Sequence, residues 1–325
     1  MILTALPNDL DLSIIIPIDF NRRAWNIYQH CKLLKTQLNH HNVQVILGCV
    51  PQPAFWYKRL INLFKDSPNI HIVQTNTQSS HLSELRNQAL QQVTTTYVMF
   101  LDIDIYCSFA QIQQSYLDVL AHPQQICMYP CLYLSAKGSK KINRLKPNDF
   151  KKAYFHFKRD LILHLAFPSS IIICDMQSVQ KINGFDPAYI GHGYEDFDFM
   201  LRLFHHKELL SYSPEILIDE PYRAPLMSRG FRAMMAEIQL EQLLEDNYFI
   251  HLYHKKNKQE RYYQKRNNNQ AYFLEKFQHL INTESTLDRA PPYLLQQFFQ
   301  LLKEKQHNRL DYAVLWAELE GHWLR

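Results

Sequence analysis

The sequence predicts an α/β fold in which a mostly parallel central sheet is flanked by helices and followed by a helical C-terminal extension. Apolar, largely β-branched runs at 12–17, 43–50, 70–73 and 96–101 predict four strands near the start of the chain. These runs show little polar alternation, as expected for strands that are buried on both faces of a parallel sheet. Segments of helical character separate them, and this strand–helix alternation is typical of a Rossmann-like sheet.

Amphipathic helices are predicted between the strands. Apolar residues recur there every three or four positions, as in Tyr28, Cys31 and Leu34, and this is the spacing of one helix face. A further strand at 169–174 is followed by a helix that Gly184 is expected to end. The predicted helices of this region are 23–38, 54–64, 83–93 and 176–182.

The chain is expected to become mostly helical after residue 229, apart from a short strand at 248–250. Predicted helices cover 231–244, 293–305 and 310–324. We therefore expect residues 1–254 to form one domain and residues 255–325 a helical extension, which would suit a dimer contact or a membrane surface.

Residues 137–152 predict a mobile basic loop, because seven Lys and Arg side chains surround a single acid, Asp149, together with Gly138 and Pro147. A solvated surface loop is the simpler interpretation. A lid that closes over phosphates or an acidic acceptor is the functional one.

Composition narrows the class of protein. With 325 residues, 46% of them hydrophobic, the chain is long enough for one large or two modest domains. A balance of 35 basic against 31 acidic residues argues against a nucleic-acid partner and is compatible with anionic substrates. Six cysteines without a CxxC pair exclude a zinc ribbon and suit reduced thiols in the cytoplasm. Residues 1–11 lack a signal-peptide pattern, and the longest apolar stretch, 161–174, is too short to span a bilayer, so only peripheral membrane contact is expected.

Two carboxylates directly follow the fourth predicted strand, in the order Asp102-Ile103-Asp104. Alternate residues of an extended segment project to the same side, so both carboxylates can reach one cation while Ile103 turns into the core. Hard oxygen ligands suit Mg²⁺ or Mn²⁺ bound to a diphosphate. The alternative is a pair of strand-end acids exposed to water.

Three of the seven glycines lie in a short segment, Gly184 to Asp198, which ends in the acids Glu195, Asp196 and Asp198. Glycines suit a sharp turn or the close approach of a ligand. A catalytic loop that presents carboxylates is one interpretation. An acidic first helical turn, which complements the helix dipole, is the other.

In this order, the strand Ile14-Ile15-Ile16-Pro17, the Asp-x-Asp pair and the segment Gly191-His192-Gly193-Tyr194-Glu195-Asp196 resemble GT-A fold glycosyltransferases. The resemblance covers about residues 10–255. It is greatest to the family 2 enzymes of bacterial capsule and lipopolysaccharide synthesis, and to a galactosyltransferase-type GWGxED region.

The resemblance implies a role for each matching residue. Asp102 and Asp104 would hold the nucleotide sugar and its Mn²⁺ or Mg²⁺, with Asp104 as the direct ligand and His251 or His254 as a further one. Asp196 would be the general base, and Glu195 would position sugar hydroxyls. The residues expected to contact the donor are Pro17, Asp19, Arg86, Gly191 and Gly193.

The implied activity is inverting transfer of a sugar, expected from a UDP donor, to an oligosaccharide or glycolipid of the cell surface, at the inner face of the bacterial inner membrane. His192 replaces the family's Trp, and no carboxylate follows the second strand at Leu47-Gly48-Cys49-Val50. Both departures affect the identity of donor and acceptor. A carbohydrate-binding scaffold without activity and a nucleotidyltransferase acting on sugar phosphates are the alternatives, although residues 17–23 lack the glycine-rich phosphate loop that the latter needs.

Overall fold

The computed structural model describes residues 9–76, 81–255, 261–281 and 292–317 of the chain. The strands, in chain order, are β1 (Asp9–Ile18), β2 (Asn42–Cys49), β3 (Ile70–Gln74), β4 (Tyr97–Phe100), β5 (Ile105–Tyr106), β6 (Ile126–Met128), β7 (Cys131–Leu134), β8 (Ile162–Ala166), β9 (Ile172–Asp175), β10 (Asp219–Glu220), β11 (Arg229–Gly230) and β12 (Phe249–His251). The helices are α1 (Ala24–Leu38), α2 (Ala54–Phe64), α3 (Leu82–Leu90), α4 (Phe109–Ala121), α5 (Ala136–Ser139), α6 (Pro147–Phe155), α7 (Met176–Lys181), α8 (Glu195–His206), α9 (Phe231–Ile238), α10 (Arg261–Gln264), α11 (Arg266–Gln278) and α12 (Tyr293–Glu304). Short 3-10 helices cover Pro214–Leu217, Pro225–Met227, Leu240–Leu243 and Arg309–Leu315.

The chain divides into two compact units. The first comprises Met1–Cys127, Ser170–Phe199 and Lys255–Asn269, and the second comprises Met128–Ser169, Met200–His254 and Gln270–Arg325. The division into domains 1–254 and 255–325 stays a prediction, because a unit defined by contacts need not be a unit of independent folding. Residues 1–8, where no signal peptide is expected, and residues 318–324 of the last predicted helix lie outside the described residues.

The first unit contains a six-stranded sheet in the order β3–β2–β1–β4–β9–β6. β1 runs parallel to β2 and β4, and β2 runs parallel to β3, whereas β9 is antiparallel to β4. Helices α3 and α4 pack on the sheet, which explains why the unbroken apolar run of β1 is buried. The predicted α/β fold with a mostly parallel sheet is confirmed, and the carboxyl ends of β1, β2 and β4 lie at one edge.

The predicted helices and strands of this unit recur within a few residues. The helix at 54–64 matches α2, whereas the helix predicted at 83–93 ends earlier, at Leu90. Gly184, at φ +64°, donates its N–H to the carbonyl oxygen of Val179, 2.9 Å away, and so ends α7 as predicted.

The second unit corrects the prediction of a mobile loop at 137–152, because helices α5 and α6 form there. Ser135 caps α5 by accepting the N–H of Gly138 at 3.0 Å. Pro147 occupies the first turn of α6, and Asp149 accepts the N–H of Lys146 at 2.8 Å. The apolar residues Phe150, Ala153 and Tyr154 are buried at helical spacing, a pattern that the many lysines concealed.

Strands β8, β7 and β12 lie side by side in the second unit, with β7 antiparallel to β8 and parallel to β12. The strand predicted at 248–250 corresponds to β12, and β11 is a further exception to the predicted helical character after residue 229. The helix predicted at 231–244 is divided into α9 and the 3-10 helix Leu240–Leu243. Among the described residues, no helix combines the length and hydropathy needed to cross a membrane.

Candidate active site

The strand-end acids Asp102 and Asp104 differ in their surroundings. Both follow β4, and Ile103 between them is 8% exposed, so it turns inward as predicted. The Asp104 side chain is 8% exposed, whereas that of Asp102 is 35% exposed. The pair therefore presents one carboxylate to solvent and holds the other within the protein.

Asp104 is bound by Arg23, which directly precedes α1, and by His30 in the second turn of that helix. Nη2 of Arg23 lies 2.9 Å from its Oδ2, and Nδ1 of His30 lies 2.8 Å from its Oδ1. Arg23 adopts φ +48° immediately before α1, which begins with no side-chain cap. A cation that binds Asp104 has to compete with these basic groups.

Arg86 joins the strand end to the start of α8. It lies on α3 with its side chain only 3% exposed, and its Nη2 donates to Oδ1 of Asp102 at 2.9 Å. Its Nη1 lies 3.2 Å from Oδ1 of Asp196. Although burial opposes the charge, the carboxylates of Asp196 and Asp102 raise the pKa of Arg86 above its usual value, so the guanidinium remains charged. One buried cation thus brings together three residues predicted for the site.

Glu195 and Asp196 form the first turn of α8, where the helix dipole favours negative charge. Glu195 is 4% exposed, and its Oε2 has no hydrogen-bond partner among the described residues. Burial raises the pKa of both carboxyl groups, and the negative charge of Asp196 raises the pKa of Glu195 further. The side chain of Asp196 is 26% exposed and pairs with Arg86, whose positive charge opposes the rise in the pKa of Asp196.

The loop before α8 depends on two glycines and on a buried asparagine. Gly191 and Gly193 have φ values of +84° and +94°, in the left-handed region that favours glycine. The Asn269 side-chain N–H₂ lies 3.2, 3.4 and 3.0 Å from the carbonyl oxygens of Ile190, His192 and Gly193. Residue 269 therefore holds the backbone that leads into Glu195.

A second side-chain amide fixes the other end of this segment. Asn87 on α3 donates to the carbonyl oxygen of Phe185 at 2.7 Å and accepts the N–H of the same residue at 2.9 Å. Arg86 directly precedes Asn87. One turn of α3 therefore positions both the acids, through Arg86, and the segment that leads to α8, through Asn87.

Aromatic and basic groups cover the glycine loop. The ring of His192 lies 5.5 Å from that of Tyr262 and 5.2 Å from that of Tyr263, and its backbone N–H donates to the carbonyl oxygen of Tyr262 at 2.9 Å. The guanidinium of Arg22 stacks 3.3 Å above the Tyr262 ring. Burial raises the pKa of Tyr262 strongly, so its hydroxyl remains protonated.

Pro17 and Asp19 lie at the carboxyl end of β1, as predicted. Asp19 is 3% exposed, and its Oδ1 accepts the backbone and side-chain N–H groups of Asn21 at 3.0 and 2.9 Å. These bonds stabilise the turn between β1 and α1, a structural role beside the predicted contact with the donor.

His251 and His254 belong to the second unit. His251 is 8% exposed on β12, and its ring stacks on Tyr133 of β7 at 4.1 Å. Nδ1 of His251 donates to the carbonyl oxygen of Leu252 at 2.8 Å, a bond that leaves the ring lone pair on Nε2. The ring of His254 lies 5.3 Å from that of His251.

Several residues that hold the site were not predicted from sequence. Two had a signal: Asn87 directly follows Arg86, which was expected to contact the donor, and Arg23 follows the turn at the end of the first strand. His30 and Asn269 had none, because an ordinary helix position and a run of three asparagines suggest surface residues.

Comparison with solved structures gives weak similarities. Mannosyltransferase PcManGT from Pyrobaculum calidifontis, in complex with GDP-Man and Mn²⁺, is 12% identical over 95% of this chain and 76% of its own, with a TM-score of 0.43. S. aureus TarS with UDP is 15% identical over 59% and 55%, with a TM-score of 0.40. Glucosyl-3-phosphoglycerate synthase from Mycobacterium tuberculosis, with Mn²⁺, UDP and glucosyl-3-phosphoglycerate, is 12% identical over 62% and 67%, with a TM-score of 0.38. The chain spans about half of the TarS fragment that it matches, and no curated protein sequence matches it.

A sequence-family model gives more direct evidence than the solved structures do. The family model described as glycosyltransferase like family 2 matches residues 13–279, which is most of the chain. The match includes β1, the strand-end acids, Arg86 and the start of α8. The chain therefore belongs to glycosyltransferase like family 2.

Proposed function

We propose that this enzyme transfers a sugar from a nucleoside-diphosphate donor, with UDP as the expected nucleotide, to a hydroxyl of a growing surface glycan of the capsule or lipopolysaccharide type. The observation that carries this proposal is the buried Arg86, which joins the strand-end Asp102 to Asp196 at the start of α8. That pairing couples a donor-binding edge of the sheet to an acid suited to proton abstraction. Family membership supports the reaction class.

Asp196 is the proposed general base. Its raised pKa makes the carboxylate a better proton acceptor than an ordinary aspartate, while Arg86 keeps it ionised. As the acceptor oxygen attacks the anomeric carbon, its proton passes to Asp196 and the bond to the diphosphate breaks. A single displacement of this kind inverts the anomeric centre, so an α-linked donor gives a β-linked product.

Glu195 is proposed to position the sugar. A buried carboxylate oxygen without a hydrogen-bond partner among the described residues is costly, and a sugar hydroxyl that donates to Oε2 would remove the cost. Gly191 and Gly193, at φ +84° and +94°, are proposed to form the turn that lets the sugar approach. Arg86 is proposed to attract the diphosphate, and Pro17 and Asp19 to contact the nucleoside at the end of β1.

A divalent cation, Mn²⁺ or Mg²⁺, is proposed as the cofactor, with Asp104 and Asp102 as carboxylate ligands and His251 or His254 as an imidazole ligand. The donor set suits Mn²⁺, which accepts both oxygen and imidazole nitrogen. His251 has the tautomer that a ligand through Nε2 requires, with Nδ1 fixed by a carbonyl oxygen. When bound, the cation would supply Lewis-acid stabilisation of the departing diphosphate.

The test of the base is Asp196→Asn. We expect turnover to fall by at least about 100-fold, within the range that general-base catalysis contributes, while the donor still stabilises the protein against heat. Asp160→Asn is the matched control, because Asp160 is 52% exposed in an ion pair with Lys137. Near-normal turnover in Asp196→Asn would show that another group accepts the proton.

The test of the metal uses His251→Gln and His254→Gln. The variant that removes a ligand should weaken Mn²⁺ binding, measured by calorimetry without donor, by about 10-fold or more. Unchanged affinity in both variants would refute imidazole ligation. Because the measurement needs no acceptor, it is independent of the acceptor's identity.

An acceptor of a surface glycan would place the enzyme in the cytoplasm, at the inner face of a bacterial inner membrane. Donor hydrolysis and transfer to lipid-linked or free oligosaccharides separate a glycolipid acceptor from a soluble one. Transfer to free oligosaccharide alone would argue against the membrane location.

A further inference from the structure

An exposed group of aromatic side chains lies on α1 and α2 in the first unit. Trp25 and Phe55 are each 61% exposed, and Ile61 is 43% exposed. The Trp56 ring lies 6.1 Å from that of Trp25 and 5.2 Å from that of Phe55, so the aromatic rings are contiguous. Together with Arg59, these four side chains are called the α1–α2 surface.

Packing against the rest of the protein covers only a small part of α2. Only Leu60 and Phe64 are buried among its 11 residues. A single exposed apolar residue is ordinary on a folded protein, but contiguous exposed aromatic rings usually mark a contact surface.

Basic residues, and no acidic ones, occur in the part of the sequence that forms this surface. Between Asp19 and Asp66 the chain has no acidic residue, yet seven of its 35 Lys and Arg residues lie there. Since the chain has 31 Asp and Glu residues in total, the remainder is net acidic, with 28 basic against 31 acidic residues. The Arg59 guanidinium also lies 5.5 Å from the centre of the Phe55 ring and 5.0 Å from that of Tyr28.

We propose that the α1–α2 surface docks on an anionic lipid bilayer. Tryptophan and phenylalanine suit the boundary between headgroups and acyl chains, and basic side chains beside them attract anionic lipids. Long basic side chains can bury their stems while their charges remain among the headgroups. Trp25 lies two residues after Arg23, so the docking surface begins close to the turn that carries site residues.

A bilayer fits better than a glycan chain. Sites that bind sugars through aromatic faces also need acceptors for sugar hydroxyls, and this surface has no carboxylate between Asp19 and Asp66. The exposed Ile61 adds apolar area that hydroxyl-rich chains cannot use. The inference does not depend on the reaction proposed above.

Co-sedimentation of the full-length protein with phosphatidylcholine vesicles, with and without phosphatidylglycerol, tests the proposal. We expect binding to the anionic vesicles that weakens as salt is raised. Lys58→Gln/Arg59→Gln should lower the partition coefficient roughly 30-fold, since it removes two charges near the headgroups. Trp25→Ser/Phe55→Ser should lower it at least as much.

The matched control is Leu280→Ser/Leu310→Ser, which removes two large apolar side chains that are 49% and 78% exposed in the second unit. This control should bind vesicles like the unaltered protein. An equal loss of vesicle binding in the control and in Trp25→Ser/Phe55→Ser would overturn the assignment of the α1–α2 surface as the docking surface. So would absence of vesicle binding, or binding to anionic polysaccharide in its place. Should Trp25→Ser/Phe55→Ser fail to fold, the charge variant decides, because Lys58 and Arg59 are exposed.

Discussion

Replacement of Arg86 by methionine removes the cation that holds the site together and keeps a side chain of similar length. The Arg86 side chain is 3% exposed and contacts Asp102 at 2.9 Å and Asp196 at 3.2 Å. Without the guanidinium of Arg86, the carboxyl groups of Asp102, Asp196 and Glu195 lose the positive charge that compensates them. The carboxylates then have to take up protons or separate, and either response lowers the stability of the folded protein.

The magnitude follows from the burial of each group. Loss of one partner from a buried ion pair costs about 3–5 kcal/mol. Asp102 and Asp196 are 35% and 26% exposed, so water replaces part of the lost interaction and the lower end applies. We expect a loss of about 3 kcal/mol, which at an unfolding entropy of about 2.1 cal/mol/K per residue lowers the Tm of a 325-residue protein by roughly 4–5 °C.

Thermal unfolding followed by circular dichroism measures the effect. Arg229→Met is the matched control, because Arg229 pairs with Glu220 at 3.4 Å while the side chains are 49% and 37% exposed. An exposed pair contributes about 0–1 kcal/mol. Adding Asp196→Asn to Arg86→Met should recover part of the lost stability, since it removes one unpaired charge. A Tm of Arg86→Met no lower than that of Arg229→Met would refute the reasoning.

Asn269→Ala should lower kcat and reduce the free energy of unfolding by about 1–3 kcal/mol. The two N–H bonds of the Asn269 amide can donate to two of the three loop carbonyl oxygens at once, and the variant removes both donors. The exposed neighbour Asn268→Ala is its control, and equal effects in steady-state kinetics and melting would contradict the loop role. Glu195→Gln should flatten the pH dependence of stability. The raised pKa means that the folded state binds the proton more tightly, so the unaltered protein loses stability as pH rises from the ordinary glutamate pKa to the raised one; melting of both proteins across that range checks the sign. Gly193→Ala should reduce turnover, because φ is +94° and a Cβ would lie 2.8 Å from Nη1 of Arg266. Full activity would contradict the need for glycine there.

The sheet could be predicted because its strands are buried on both faces. Such strands are unbroken apolar runs, as in Ile14-Ile15-Ile16, and they can be recognised from the sequence alone. The segment 137–152 could not be predicted in the same way, because Phe150, Ala153 and Tyr154 are three apolar positions among many charges. Burial of these three side chains stabilises a helix in this segment, whereas composition alone predicts a solvated loop.

The acids of the candidate site could be proposed from spacing and order, but the partners that the structure gives them could not be predicted. Arg23 and Asp104 are 81 positions apart, and Asn87 and Phe185 are 98 apart. Such pairs depend on where the β1–α1 turn and α3 lie against the sheet. Local sequence predicts that an asparagine or arginine is polar, whereas its partner is set by the packing of whole elements.

Basic side chains pair with the acids of the candidate site, and this has a consequence for the proposed binding of metal and nucleotide. Asp104 is bound by Arg23 and His30, while Asp102 and Asp196 share Arg86. A metal ion with a diphosphate carries both signs of charge, so binding of the two would be an exchange: Asp104 and Asp102 would hold the cation, and the released guanidinium groups of Arg23 and Arg86 would attract the phosphates. Neither half of the exchange is favourable alone, because each would leave one buried charge unpaired. Metal and nucleotide should therefore bind with positive coupling, each tightening the other by the same factor.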